Sequence, residues 1–180
     1  MGRTMNAQHA AHDIRLLRSG VALFPALVTA FEQAQHEVLL ETYIFDFEGA
    51  GGQVAQALVR AAERGVRVCV VVDGVGTGAL PSVWAQRFAQ AGVQCRVYAP
   101  LAGLGFWLPS HWRRLHRKLC VVDKEVAFCG GINVLDDFID PNVVEGLEQP
   151  RLDYAVSLRG PLVGHVHDAM LQLWSRIEAV

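Results

Sequence analysis

Long apolar runs, a basic surplus and paired cysteines are all missing from this 180-residue sequence, and each absence removes a class of protein. A membrane-spanning helix needs roughly 18 to 20 consecutive apolar residues. The longest apolar stretches here, around residues 38–45 and 66–72, are only strand-length. The formal net charge is -2, so nothing suggests a surface built to grip a long phosphate backbone, and nucleic acid is not the expected partner. The four cysteines, at 69, 95, 120 and 129, show no C-x-x-C spacing. Each sits in an apolar run, which predicts reduced, buried thiols rather than a zinc site. No H-E-x-x-H, P-loop or EF-hand loop occurs, so no metal or other cofactor is expected. The first thirteen residues lack the apolar segment of a secretory signal, and Asn6 spoils the myristoylation pattern that Gly2 would begin. The expected location is cytoplasmic, with membrane contact at most peripheral.

What is present is a globular composition, 52% apolar and 19% charged, in a chain long enough for one sizeable core. Residues 1–13 read as a flexible N-terminal tail and 14–180 as a single domain. A short strand at 14–17 precedes apolar residues at helical spacing over 21–35, with Pro25 early enough to be tolerated. Residues 37–45 read as a buried strand, 53–64 as a helix closed by Gly65, and the valine-rich 66–72 as a strand covered on both faces. A helix over 81–91, ended by Gly92, and a strand over 93–98 complete a β-α-β-α-β rhythm. That rhythm predicts an α/β fold with a mixed, largely parallel sheet sandwiched by helices. Further on, residues 115–122 and 126–130 flank Asp123-Lys124-Glu125 as a hairpin, and 154–158 form a strand. Pro161 opens a final helix that meets no stop signal.

The segment HRKLCVVDKEVAFCGGIN, residues 116–133, carries the chemistry. A strand alternates its side chains, so His116 and Lys118 should share a face. An imidazole beside an ammonium suits a phosphodiester: one can attack or protonate, the other holds a non-bridging oxygen. Hairpin pairing would set Lys118 opposite Gly130 and His116 opposite Ile132. Gly130 and Gly131 would then leave room for phosphate at the backbone, and Asn133 would donate a hydrogen bond from the same rim. Donors fixed in advance are what a transferring phosphoryl group needs, so Lys118, Gly130, Gly131 and Asn133 are the candidate phosphate-binding residues. Asp123 completes the H-x-K-x4-D string and counts with the catalytic group. By parity it faces away, which points to support of the turn or of a partner's motif.

This string resembles the HKD motif of the phospholipase D superfamily, and the resemblance extends over most of the chain. Residues 16–77 (LLRSGVALFPALVTAFEQAQHEVLLETYIFDFEGAGGQVAQALVRAAERGVRVCVVVDGVGT) are similar to the opening of bacterial cardiolipin synthases of that type, as are LHRKLCVVDKEVAFCGGINV and RLDYAVSLRGPLV. The resemblance implies a two-step displacement in which one motif histidine forms a phosphohistidine and the histidine of a second motif protonates the leaving alcohol. It makes His116 a catalytic histidine, gives Lys118 and Asn133 phosphate contacts, and makes Asp153 the acid that orients the His116 ring.

Other features are weighed more plainly. Asp73-Gly-Val-Gly76-Thr77 reads as a tight strand-to-helix turn, because it lacks the full G-x-G-x-x-G pattern. His165 and His167 are not on one helical face and do not suggest a metal site. Glu41, inside an apolar strand, must be paired if buried, either as a structural ion pair or at a pocket wall. Asp136 and Asp137 read as solvated loop. Trp107, Trp112, Arg113 and Arg114 lie in an aromatic and basic segment leading straight into the motif, the composition of a contact with lipid headgroups.

No second H-x-K occurs, so chemistry with two histidines needs a partner. That partner would be a missing C-terminal half or an identical subunit on a twofold axis; otherwise the chain is inactive or regulatory. Three functions follow from the resemblance. The leading one is a phosphatidyltransferase of the cardiolipin synthase type, acting on phosphatidylglycerol or a similar phospholipid at the inner membrane surface. The others are a single-motif phosphodiesterase or endonuclease working as a homodimer, and an inactive fragment that binds lipid or a partner.

Overall fold

The computed structural model describes residues 12–100, 114–140 and 146–179. In chain order the elements are β1 (Asp13–Arg18), α1 (Ser19–Gln33), β2 (Glu37–Thr42), α2 (Gly49–Glu63), β3 (Arg67–Asp73), α3 (Ser82–Ala91), β4 (Gln94–Tyr98), β5 (Lys118–Val122), β6 (Val126–Gly130), β7 (Tyr154–Arg159) and α4 (Leu162–Glu178). The seven strands form one sheet in the order β1-β7-β6-β5-β2-β3-β4. Only β2-β3 and β3-β4 pair in parallel. The other four pairings are antiparallel. The sheet is therefore mixed, as expected, but its parallel part is the minority. Helical crossovers enforce parallel pairing only in the first half of the chain, and the β5-β6 hairpin then reverses the direction.

Alternation along the strands divides the core in two. Val38, Leu40, Val68, Val70, Cys120 and Val122 face α1, α2 and α3, where Phe31, Leu58 and Phe88 are buried. Leu39, Cys69, Val71, Val121 and Ala127 face the other way, against Val163, Met170 and Trp174 of α4. The sheet is sandwiched by helices for this reason. Cys69 and Cys120 are buried and Cys95 and Cys129 half-buried, all as free thiols. Burial pushes the Cys69 thiol up to about 11, consistent with packing rather than reactivity.

Several boundaries differ from expectation for identifiable reasons. Helix α2 starts at Gly49, four residues before the expected start at Gln53. A side chain at Gly51 or Gly52 would collide with the carbonyls of Asp46 and Phe47, so these glycines permit close packing inside a helix rather than a loop. Strand β1 already includes Asp13, paired with Arg159, so the expected tail loses its last residue. Asp137 is not a solvated loop residue. Its carboxylate accepts the backbone N–H groups of Gly20 (2.9 Å) and Val21 (3.1 Å), satisfying the N-terminus of α1.

Asp123 and Lys124 both take positive φ, 51° and 57°, at the hairpin tip. That geometry turns the Asp123 carboxylate toward the α1-β2 connection, where it accepts N–H bonds from Gln35, His36 and Glu37, each at 2.8 Å. Partial burial pushes this carboxyl up, but the three donors outweigh it and hold the group below the usual carboxylate range. A group with a depressed folded pKa stabilises the fold above its unfolded value and loses that contribution as pH falls through the folded one. Asp123→Ala should therefore cost about 1–2 kcal/mol at neutral pH. In thermal melts the gap to the parent should close below pH ~4; a gap independent of pH would reject this role.

Candidate functional site

The site lies at the sheet end where β2, β3 and β4 finish and β5 begins. His116 is not within a strand: residues 114–117 are irregular, and β5 starts at Lys118. The two side chains nonetheless converge. The His116 ring stacks on Tyr43 with centroids 4.5 Å apart and an interplanar angle of 18°. The Lys118 ammonium lies 5.5 Å from the centroid of the same Tyr43 ring. It also donates to the His116 carbonyl at 3.0 Å. His116 is exposed and Lys118 half-buried, so an imidazole and an ammonium share an open rim. Burial pulls the Lys118 pKa below its ordinary value, and the Asp153 carboxylate partly opposes this.

Asn133 reaches this rim from the segment after β6. Its Oδ1 accepts the Ile44 N–H at 3.1 Å, which fixes the amide and leaves the NH2 as a donor. Lys118 pairs with Gly130 as expected. Ile132, however, is buried and lies beyond the paired strand, so it does not oppose His116. The glycines do not leave empty space for phosphate. A Cβ at Gly130 would strike Ala155 and the Tyr154 carbonyl, and one at Gly131 would strike the Asp153 carboxylate. They admit β7 and Asp153 instead. Beneath Lys118 and Gly130 the void is only about 20 Å³, too small to enclose a phosphate.

Three further assignments change. Asp153 makes no hydrogen bond to His116 among the described residues; its carboxylate accepts the Tyr154 N–H at 2.7 Å and lies against Gly131. It acts on Lys118 through its charge. Asp123 lies just past the far end of β5, about 23 Å along the chain from His116 at ~3.3 Å per residue, so it takes no direct part at the rim. Arg114 turns inward: its side chain is 17% exposed, 3.6 Å from the Asp73 carboxylate, and donates to the Ala99 carbonyl at 3.2 Å. This geometry replaces the headgroup contact expected of it. Trp107, Trp112 and Arg113 lie outside the described residues.

Tyr43 and Asp73 are the residues that sequence reasoning missed. Tyr43 was hidden in a run read as buried strand, yet β2 stops at Thr42 and frees its ring. Asp73, 0% exposed, accepts N–H bonds from Val75 (2.8 Å), Gly76 (3.2 Å) and Leu115 (2.7 Å). The turn read at 73–77 is real, and it also tethers the residue before His116. Glu41 resolves as a structural ion pair: 2% exposed, it bonds both Nε and Nη2 of Arg117, and Arg117 also reaches the Ala169 carbonyl of α4. Burial pushes the Glu41 carboxyl up, and Arg117 partly offsets it. His167 likewise bonds Glu37 at 2.8 Å. No cluster of potential metal ligands occurs among the described residues.

An imidazole and an ammonium thus share one open rim, with the Asn133 amide bonded to the residue after Tyr43. The family description "Cardiolipin synthase, PLD-like domain" matches residues 27–143. The chain belongs to this family of the phospholipase D superfamily. It is 37% identical over 152 residues to cardiolipin synthase B of Shigella flexneri, covering 84% of this chain and 36% of that protein. It is 34% identical over 165 residues to cardiolipin synthase A of Pseudomonas putida, covering 92% of this chain and 34% of that protein. The chain thus spans just over a third of the length of the curated relatives it matches. Among solved structures, the phospholipase D family member Nuc from Salmonella typhimurium aligns with a TM-score of 0.64 at 20% identity, over 92% of this chain and 95% of Nuc.

The lowered pKa of Lys118 has a measurable sign. Its cationic form is lost as pH rises through the depressed value, so affinity for a phosphodiester anion should fall below the pH of an ordinary lysine, ~10.4. A 31P titration of bis(p-nitrophenyl) phosphate against pH should show this limb, and Lys118→Arg should move it beyond the accessible range. An unmoved limb in the arginine variant would assign it to another group.

Proposed function

We propose that this chain is one half of a phosphatidyltransferase of the cardiolipin synthase type. The observation that carries the reading is the convergence of His116 and Lys118 on Tyr43 at an open rim, with the Asn133 amide fixed beside them. The substrate is phosphatidylglycerol or a similar phospholipid. A ring nitrogen of His116 attacks phosphorus, an N–P bond forms and the P–O bond to the leaving alcohol breaks. Lys118 and Asn133 hold the non-bridging oxygens as charge moves onto them. The leaving oxygen takes its proton from the histidine of a second H-x-K motif, in another half or an identical subunit. An acceptor alcohol then attacks phosphorus, its proton passes to that second histidine, and His116 is released. In the first step His116 could equally serve as the acid toward a partner's nucleophile.

The chain would work at a membrane surface on the cytoplasmic side. Among the described residues no helix is long and apolar enough to cross a membrane. The aromatic and basic composition of residues 107–113 supports surface contact. A second reading, a phosphodiesterase or endonuclease working as a homodimer, draws support from the single H-x-K in the sequence, which a twofold axis would double. The net charge of -2 weighs against a nucleic-acid substrate.

Purified protein, alone and joined to a second H-x-K half, incubated with phosphatidylglycerol vesicles and separately with plasmid DNA, distinguishes the readings. Cardiolipin formation that falls at least about 1,000-fold in His116→Ala is the expected result. Nicked DNA without lipid product would install the second reading. Liposome binding with neither product would leave only a lipid-binding role.

A further inference from the structure

The orientation of the His116 ring calls for an explanation, because the carboxylate expected to hold it bonds elsewhere. The ring has an aromatic contact instead, the near-parallel face of Tyr43 at 4.5 Å. Both partners of that stack are held by a single turn. On one side, the Thr77 hydroxyl donates to the Tyr43 carbonyl at 3.0 Å and accepts the Phe45 N–H at 2.9 Å. Gly76 lies so close that a Cβ there would strike the Tyr43 carbonyl and ring. On the other side, Asp73 accepts the Leu115 N–H at 2.7 Å, fixing the residue immediately before His116.

We infer that Tyr43 is the positioning residue for His116, and that the turn from Asp73 to Thr77 sets the stack by holding the tyrosine and the histidine segment together. This rests on His116 being the reacting histidine of the proposed site. Offset aromatic stacking restrains rotation about the terminal side-chain torsion without consuming either ring nitrogen. One nitrogen therefore stays free to meet phosphorus. The Lys118 ammonium, near the same ring, is held in register with the imidazole by the same support. Tyr43 touches neither phosphate nor leaving group in this role, so its loss should lower kcat and leave KM nearly unchanged. Misplacement of a reacting group by about 1 Å can cost on the order of 100-fold.

The test joins NMR of the full 180-residue chain to kinetics with bis(p-nitrophenyl) phosphate. Stacking places the His116 ring protons in the shielding cone of Tyr43, so their resonances should lie upfield of a free imidazole. Tyr43→Leu should move them downfield and lower kcat by about 100-fold, with KM changed by less than about threefold. Thr77→Val, nearly isosteric and without the hydroxyl, should move both in the same direction by less. Tyr43→Phe, which keeps the ring, should restore the resonances and kcat. Far-UV circular dichroism and melting curves establish that each variant is folded.

Unmoved His116 resonances in Tyr43→Leu would overturn the inference. So would a raised KM with unchanged kcat, which would make Tyr43 a substrate contact, or displaced resonances with full kcat. If the parent chain turns over neither this probe nor a phospholipid, supply of the second histidine by an identical subunit is what fails. The resonances alone then decide whether Tyr43 and the turn hold His116.

Discussion

A carboxylate without solvent exposure, accepting three backbone N–H groups, is the constraint on which the geometry of this end of the molecule depends. Asp73 ends β3, the third strand from the β4 edge being β5's neighbour β2. Its side chain closes its own turn and also reaches the segment that enters β5 from the other end of the sequence. Removing it would strand three donors at once, of which the buried Leu115 N–H alone costs about 1–3 kcal/mol if left unsatisfied. Local turn geometry, strand order and the approach to the motif are thus tied to one side chain.

Alternation does the next piece of work. In the H-R-K triplet, Lys118 faces the side of α1 and α2, while Arg117 turns the other way toward α4. There it meets Glu41 of β2, a buried carboxylate with two bonds to the guanidinium. Replacing such a pair by apolar residues is often neutral or stabilising, whereas removing one partner leaves an uncompensated charge. Its value here is register. The pair pins the residue between the His116 imidazole and the Lys118 ammonium to both a neighbouring strand and α4, so neither can slide without exposing a charge to the core.

The fold was legible where periodicity and punctuation agree. The valine run of β3 and the glycine stop after α3 come out within a residue of expectation, and the β5-β6 hairpin turns where expected although β5 begins at Lys118 rather than at 115. Hydrophobic patterning specifies strands well but says little about their partners, which is why the share of parallel pairing was overestimated. At the site, His116 lies outside the expected strand, and its approach to Lys118 runs through a tyrosine ring rather than the pleat. Tyr43, Asp73 and Asp137 share one reason for being missed. Each acts across a gap of more than 40 positions, on Leu115, His116 or the start of α1, and no local window reports such a contact. Gly130 and Gly131 show the converse error, since a glycine signals close approach without saying whether backbone, carboxylate or ligand approaches.

The placement of the histidines bears on whether this rim suffices alone. A displacement that leaves phosphorus on His116 occupies its nucleophilic nitrogen when the departing oxygen needs a proton. In the proposed site Lys118 would hold phosphate oxygens, and the Asn133 amide is no acid. Every other described histidine maps to the opposite end of the sheet. His12 precedes β1, whose first residue pairs with the last of β7. His36 donates its N–H to Asp123 at the hairpin tip, and His165 and His167 lie in the first turns of α4, after β7 has ended. No rotation of a side chain can bring an imidazole from that end to this one, since a strand of five or six residues spans roughly 17–20 Å. The proton balance of the proposed reaction therefore asks for an acid from outside the described residues. The rim around the exposed His116 is the place where the proposed reaction would have another half or another copy supply it.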